Sequence, residues 1–174
     1  MEGKIRLAVF GQKRLSREGG IEIVVKELCT RMAQNGCEVT CYNRAGHHVS
    51  GAEYDKTIEY DGIRQKVVPT IEKKGLAAVS SSFFAALYSA FGRYDVVHIH
   101  AIGPALLVPY AKMLGMKVVF THHGPDYDRD KWGFTAKSVL KLGERLGCRF
   151  ADDVIVISEV IQDLIARKYH RRER

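Results

Sequence analysis

KIRLAVFGQKRLSREGGIEIVVKELCTRMAQNGCEVTCY, residues 4–42, decides the fold. Lys4 to Phe10 is a short apolar run of strand-forming residues and reads as a buried strand. Gly11 to Gly20 is a polar turn ending in a Gly-Gly pair. Ile21, Val24, Val25, Leu28 and Met32 then recur at helical spacing, which predicts a helix over about 20–34. Asn35-Gly36 is a helix stop. Val39 to Tyr42 is the next strand. The whole is one strand, Gly-rich turn, helix, strand unit, the signature of parallel pairing.

Working outward, the alternation continues. Thr57 to Tyr60 and Ile63 to Val68 flank Asp61-Gly62, a type I′ hairpin signal. Helices are predicted over 76–91, from Pro104, over 134–150 and after Ser158, which caps the last one with Ile161, Leu164 and Ile165 inward. Pro104 suits a first helical position, and Pro109 shortens or kinks that helix. Strands are predicted over 95–100, 117–121 and 153–157. In the helix over 134–150, Val139, Leu142, Leu146 and Phe150 form one apolar stripe, expected to face the core. Strands that are continuous apolar runs point to a parallel sheet covered on both faces. Right-handed crossovers then make a doubly wound, Rossmann-like α/β domain.

Composition agrees with a single globular domain. The chain has 174 residues, 46% hydrophobic and 27% charged, enough apolar material for a full core. Its longest near-continuous apolar run, Ala101 to Ala111, is well short of the ~18 residues a membrane span needs. Ile5 to Phe10 contains Arg6 and is too short for a secretory h-region. Net charge is +7. Arg167 to Arg174 contributes five Lys/Arg against one Glu, so the body is only mildly basic, and no nucleic-acid partner is expected. Cys29, Cys37, Cys41 and Cys148 form no Cys-x-x-Cys pair and read as thiols in a reducing, cytoplasmic setting. Zinc on Cys37, Cys41, His47 and His48 is disfavoured by spacing.

In an open parallel sheet, ligands bind at the carboxyl ends of the strands. Three segments converge there: Gly11–Gly20, His98–Gly103 and His122–Gly133. Gly19 and Gly20 open a helix whose N–H groups and dipole suit a phosphate. Their spacing matches neither Gly-x-Gly-x-x-Gly nor a Walker pattern. His98 and His100 lie two apart on a strand and share a face. With His122 and His123 they offer a metal site as one reading; a hydrogen-bonded His98 and a pocket-lining His100 are the other. His123-Gly124-Pro125 leads a loop in which His123 can meet a sugar hydroxyl or a phosphate, with Asp126, Asp128, Arg129 and Asp130 beside it and Trp132 expected to anchor its end in the core. Paired Asp residues there are a weak acid–base candidate. Lys137, Lys141, Arg145 and Arg149 recur every four residues, a solvated stripe or a surface for anionic lipid. Glu144, on the same helix, is expected at the surface or pairing between elements.

These segments together resemble the N-terminal half of a GT-B-fold, family 4 (group 1) glycosyltransferase, and within it the rhamnosyltransferase-like branch. The likeness rests on Gly19-Gly20-Ile21-Glu22, the run Asn35 to Thr40 (where the family often has Gly-His in place of Gly36-Cys37), Tyr94 to His100, and Thr121-His122-His123-Gly124. Lys131-Trp132, Gly143-Glu144-Arg145 and Ala151 to Ser158 extend it over essentially the whole chain. The resemblance implies two Rossmann-like domains across a cleft, of which this chain is the acceptor-side one. It implies that Gly19 and Gly20 approach the donor diphosphate, that His123 with Gly124 meets the donor sugar, that Arg129 faces the phosphates, and that Glu22 and His100 line the acceptor side. The implied reaction moves a sugar from a nucleotide-sugar donor to a saccharide or lipid-linked acceptor with retention, in cell-surface polysaccharide synthesis. No metal or other cofactor is expected, and the departing diphosphate deprotonates the acceptor. The Glu-x7-Glu motif of the donor-binding domain is absent, so the chain alone is expected to be silent. The partners implied are donor, acceptor, a C-terminal domain and peripheral contact with the inner face of the membrane. Alternatives on the same fold are a nucleotide-sugar epimerase or hydrolase, a phospho-ligand binding module, and a His-based metal hydrolase.

Overall fold

The computed structural model describes residues 3–15, 19–46, 58–73, 75–130 and 132–170. The elements in chain order are β1 (Arg6–Phe10), α1 (Gly20–Gln34), β2 (Glu38–Arg44), β3 (Glu59–Tyr60), β4 (Ile63–Val68) and α2 (Leu76–Phe91). They continue with β5 (Val96–His100), a 3-10 turn (Pro104–Leu107) running into α3 (Val108–Met113), and β6 (Lys117–His122). A 3-10 turn (Asp126–Asp128), α4 (Phe134–Phe150), β7 (Asp153–Val156) and α5 (Glu159–Tyr169) follow among the described residues. His47, His48, Thr57, Lys131 and Arg171–Arg174, which figure in the sequence reading, lie outside the described residues.

The sheet has seven strands in the order β3-β4-β2-β1-β5-β6-β7. All neighbours are parallel except β3 and β4. The β3–β4 turn has positive φ at both Asp61 (46°) and Gly62 (76°), as a type I′ turn requires. Strand order reverses at β1, whose neighbours β2 and β5 lead away in opposite directions. That switch point opens a crevice at the strands' carboxyl ends.

Each face of the sheet has its own core. Leu7, Val9, Val39, Cys41 and Ile63 pack with Val25 and Cys29 of α1. Phe10, Tyr42, Ile99, Val118 and Phe120 pack on the other face with Ala85, Ala111, Cys148 and Ile165 of the remaining helices. The Cys29 and Cys41 sulfurs touch at 3.6 Å as thiols. Pro109 sits in the first turn of a six-residue α3, which it keeps short. Ser158 caps α5 by accepting from the Ile161 amide at 3.4 Å.

Helix α4 corrects the sequence reading. Val139, Leu142 and Phe150 are 45%, 48% and 44% exposed. The buried face consists of Gly143, Glu144, Gly147 and Cys148. A side chain at Gly143 would strike the Ile102 carbonyl, and one at Gly147 would strike the Phe120 ring. The helix lies so close to β6 and the turn after β5 that only small residues fit between them. Val139, Leu142 and Phe150 are turned to the solvent side, Leu146 is half-buried, and Leu140 is the large apolar residue that packs on the core. The loop before α4 is likewise anchored by Tyr127, 6% exposed, while Trp132 is only half-buried.

Candidate functional site

The crevice is built by two close approaches. Gly11, with φ +114°, brings the exit of β1 against the end of β5, where a Cβ would overlap the His100 carbonyl. Only glycine combines that backbone angle with that contact. Next along, Leu15 donates its amide to Asn43 Oδ1 (3.2 Å), and Gln12 Nε2 donates to the Tyr42 carbonyl (3.2 Å). The turn is thereby fastened to the end of β2. On the other side Ala101 takes a strained φ of +72° as it leaves β5, a conformation that costs a non-glycine residue about 1–3 kcal/mol.

Gly19 precedes α1 and no side chain caps the helix there. Its φ of 177° is ordinary extended backbone. A Cβ on Gly19 would meet the Glu22 carboxylate, which would have to shift to make room. Glu22 is 8% exposed and accepts the Lys13 amide at 3.1 Å. The space around Gly20 is open. Helix end and carboxylate therefore sit together, N–H donors of the kind that can meet an anion beside an acceptor of the kind that can meet a hydroxyl.

Beside it lies a stack of histidines. His98 is buried and its Nε2 bonds Thr121 Oγ1 at 2.6 Å. Its ring lies 4.1 Å from that of His100, as the shared strand face predicts. His100 Nδ1 meets His123 Nε2 at 3.0 Å, and His100 Nε2 is buried without a partner. Burial, with the neighbouring His123 charge adding, lowers His98 to about 3. Burial and then the two neighbouring histidines hold His100 well below its ordinary value. Burial and then His122 bring His123 down to about 4, against the upward pull of Glu22 and Asp126. At neutral pH these are neutral rings. They can give and take hydrogen bonds with hydroxyls but bring no cation to a phosphate.

His122 belongs to a different network. Its Nδ1 accepts the Gly124 amide at 3.0 Å, so its Nε2 carries the proton and donates to Glu144 Oε2 at 3.1 Å. Gly124 needs its φ of +121° for that turn. Glu144 is fully buried and also takes hydrogen bonds from Lys168 Nζ and Tyr169 Oη (2.7 Å). Burial pushes its carboxyl up, but the bonds from His122, Lys168 and Tyr169 outweigh that and hold it at about 2. A single carboxylate thus ties α4 to α5 and to the end of β6.

Of the predicted residues, the structure gathers Gly19, Gly20, Glu22, His100, His123 and Gly124 at the carboxyl edge. Arg129 joins only indirectly: its guanidinium is 66% exposed and pairs with Asp126 at 3.3 Å. Asp128 and Asp130 are exposed and do not form an acid–base pair. The four strand-end histidines do not converge, because His122 turns to Glu144. Among the described residues no three His, Cys, Asp or Glu side chains gather as a metal site. Sequence reasoning missed Gly11, Ala101, and the roles of Lys168 and Tyr169. It expected pairing of Glu144 but not burial, although the flanking Gly143, Gly147 and Cys148 mark a face of small residues.

Residues 18–174 match the model of Glycosyltransferase Family 4. The chain belongs to that family. No curated protein matches it. Among solved structures, this family 4 chain is similar to sucrose-phosphate synthase from Thermosynechococcus elongatus, with 16% identity and a TM-score of 0.72 over 98% of this chain and 47% of that one. It is also similar to LpCGTa in complex with UDP, with 12% identity and a TM-score of 0.61 over 90% and 46%. The family 4 chain thus spans about half the length of these two proteins and shares the fold of one GT-B half.

Proposed function

We propose that this chain is the acceptor-side half of a retaining glycosyltransferase that moves a sugar from a nucleotide-sugar donor to a saccharide or lipid-linked acceptor. The observation that carries the reading is the juxtaposition, in a family 4 chain, of an uncapped helix start at Gly19–Gly20 with the neutral His100–His123 pair. Neutral imidazoles orient sugar hydroxyls without trapping them as ions. The helix start stabilises charge that grows on the departing diphosphate. A structural neighbour holding UDP supports a nucleotide diphosphate donor. In this scheme the acceptor hydroxyl attacks the anomeric carbon as the diphosphate leaves, and a diphosphate oxygen takes the hydroxyl proton. No protein group is covalently modified and no cofactor is called for.

The rhamnosyltransferase-like branch, a role in cell-surface polysaccharide synthesis, and a cytoplasmic location with peripheral membrane contact belong to the same proposal. The basic stripe of α4 supports the contact, and among the described residues no helix is long and apolar enough to cross a membrane. A donor-binding second half completes the site. The test is a transfer assay on the 174-residue chain and on the same chain joined to such a half. The expected result is no turnover from the chain alone, turnover from the joined protein, and a loss of about 10²-fold in kcat/KM on His123→Ala. Robust turnover by the chain alone, or an unaffected His123→Ala enzyme, would sink the reading.

A further inference from the structure

The two faces of the sheet carry helices of different surface chemistry. On one face, α1 mixes Lys26, Glu27 and Arg31. On the other, α2, α3 and α4 lie side by side, with Phe83 of α2 stacked on Tyr110 of α3 at 5.2 Å, and α5, which carries the exposed Glu159 and Asp163, packs beyond α4. Helix α2 has no charged residue in 16. The three helices together hold one carboxylate, Glu144, and it is buried and consumed by its own partners. Their outer surface is apolar and cationic: Phe91 is 79% exposed, Met113 84% and Phe134 87%. The stripe of α4 expected in the core points outward, beside the exposed cations Lys141, Arg145 and Arg149.

We propose that the outer surface of α2, α3 and α4 docks on an anionic lipid bilayer. Deepening the peripheral-contact reading above, this names the face and the charge of its partner. Large apolar side chains exposed together on one face mark an interaction surface. Cations alongside them, with no exposed carboxylate on these helices, select a partner that is both acidic and apolar, which an anionic bilayer is. A second copy of the chain is disfavoured by charge, since two such faces would bring cations against cations. Lys112 is taken up by Asp152 at 2.7 Å, so attraction rests on α4, while Phe91 and Met113 supply insertion at the far side.

The experiment is co-sedimentation of the chain with vesicles of phosphatidylcholine alone and of an equal mixture with phosphatidylglycerol, at low and high salt. The expected result is binding to the anionic vesicles that salt weakens. Arg145→Glu with Arg149→Glu should lower the partition coefficient about tenfold or more, and Phe91→Ser with Met113→Ser should lower it at unchanged charge. Lys26→Glu with Arg31→Glu, on the opposite face, should leave it unchanged. These positions are exposed except Lys26, which is half-buried over the Tyr60 ring, and thermal melting verifies that each variant folds. If the chain binds anionic vesicles but the α4 pair has no effect, this face is overturned while peripheral contact stands. If the chain binds no vesicle, both fall, and the transferase reading, which the transfer assay tests, is untouched. Capture by immobilised polyglutamate without vesicle binding would assign the face to an acidic protein and overturn the proposal.

Discussion

His122 and His123 are adjacent in the chain, yet they work in opposite chemical settings. His122 closes a charged strut: carboxylate, ammonium and phenol meet at Glu144, and the strut's other end fixes the Gly124 turn. His123 joins His100 in a neutral pair, within electrostatic reach of Glu22 in the first turn of α1. The alternation of side chains at a strand end sends neighbours to opposite sides. One supports the loop and the other is left available to a ligand. The comparison teaches that a run of histidines in a sequence need not be one site.

Breaking the strut should have the largest effect. Glu144→Ala leaves His122, Lys168 and Tyr169 without their shared acceptor, and should cost about 3–5 kcal/mol in denaturant unfolding. Glu144→Gln, which keeps the shape and one acceptor oxygen, should cost clearly less. Equal costs would mean that the carboxylate's charge, not the site's packing, matters.

Acid should break the other side. His98 and His100 have folded values below their ordinary 6.5, so the unfolded chain binds more protons as pH falls. Stability is full above about pH 6.5 and declines below it. From pH 7 to pH 5 the loss should be about 2 kcal/mol for His98, and His100 adds to it in the same direction. Glu144 adds its own loss only below its ordinary carboxylate range, on the way to about 2. An unfolding free energy flat between pH 7 and 5 would contradict the neutral stack.

Gly11→Ala should follow, at about 2 kcal/mol or more, because it forces a strained φ and a collision with the His100 carbonyl. The smallest effect belongs to Arg129→Ala, within about 0.5 kcal/mol, since its guanidinium is exposed where it pairs with Asp126. Stability measured alongside transfer by the joined protein separates a ligand contact, which would lower only transfer, from a structural one.

The candidate site was legible where local chemistry marks it. Gly19-Gly20 stand at a helix start, and His98-x-His100 share a strand face by periodicity alone. Glu144 was not legible, since burying a carboxylate requires partners 22–25 residues away that local pattern cannot reveal. Arg129 had the right loop and charge, but Asp126 holds its guanidinium at the surface.

Strand and helix alternation, the parallel sheet, the Asp61-Gly62 turn and the Ser158 cap were determined by sequence alone, because periodicity, turn chemistry and capping act within a few residues. Which face of α4 turned inward was decided by tertiary structure. Hydrophobic pattern favoured Val139, Leu142, Leu146 and Phe150. The close approach of the helix to Ile102 and Phe120 admitted only Gly143, Gly147 and their small neighbours. The same packing buried Glu144 and divided His122 from His123, since close packing is a property of surfaces brought together by the whole chain.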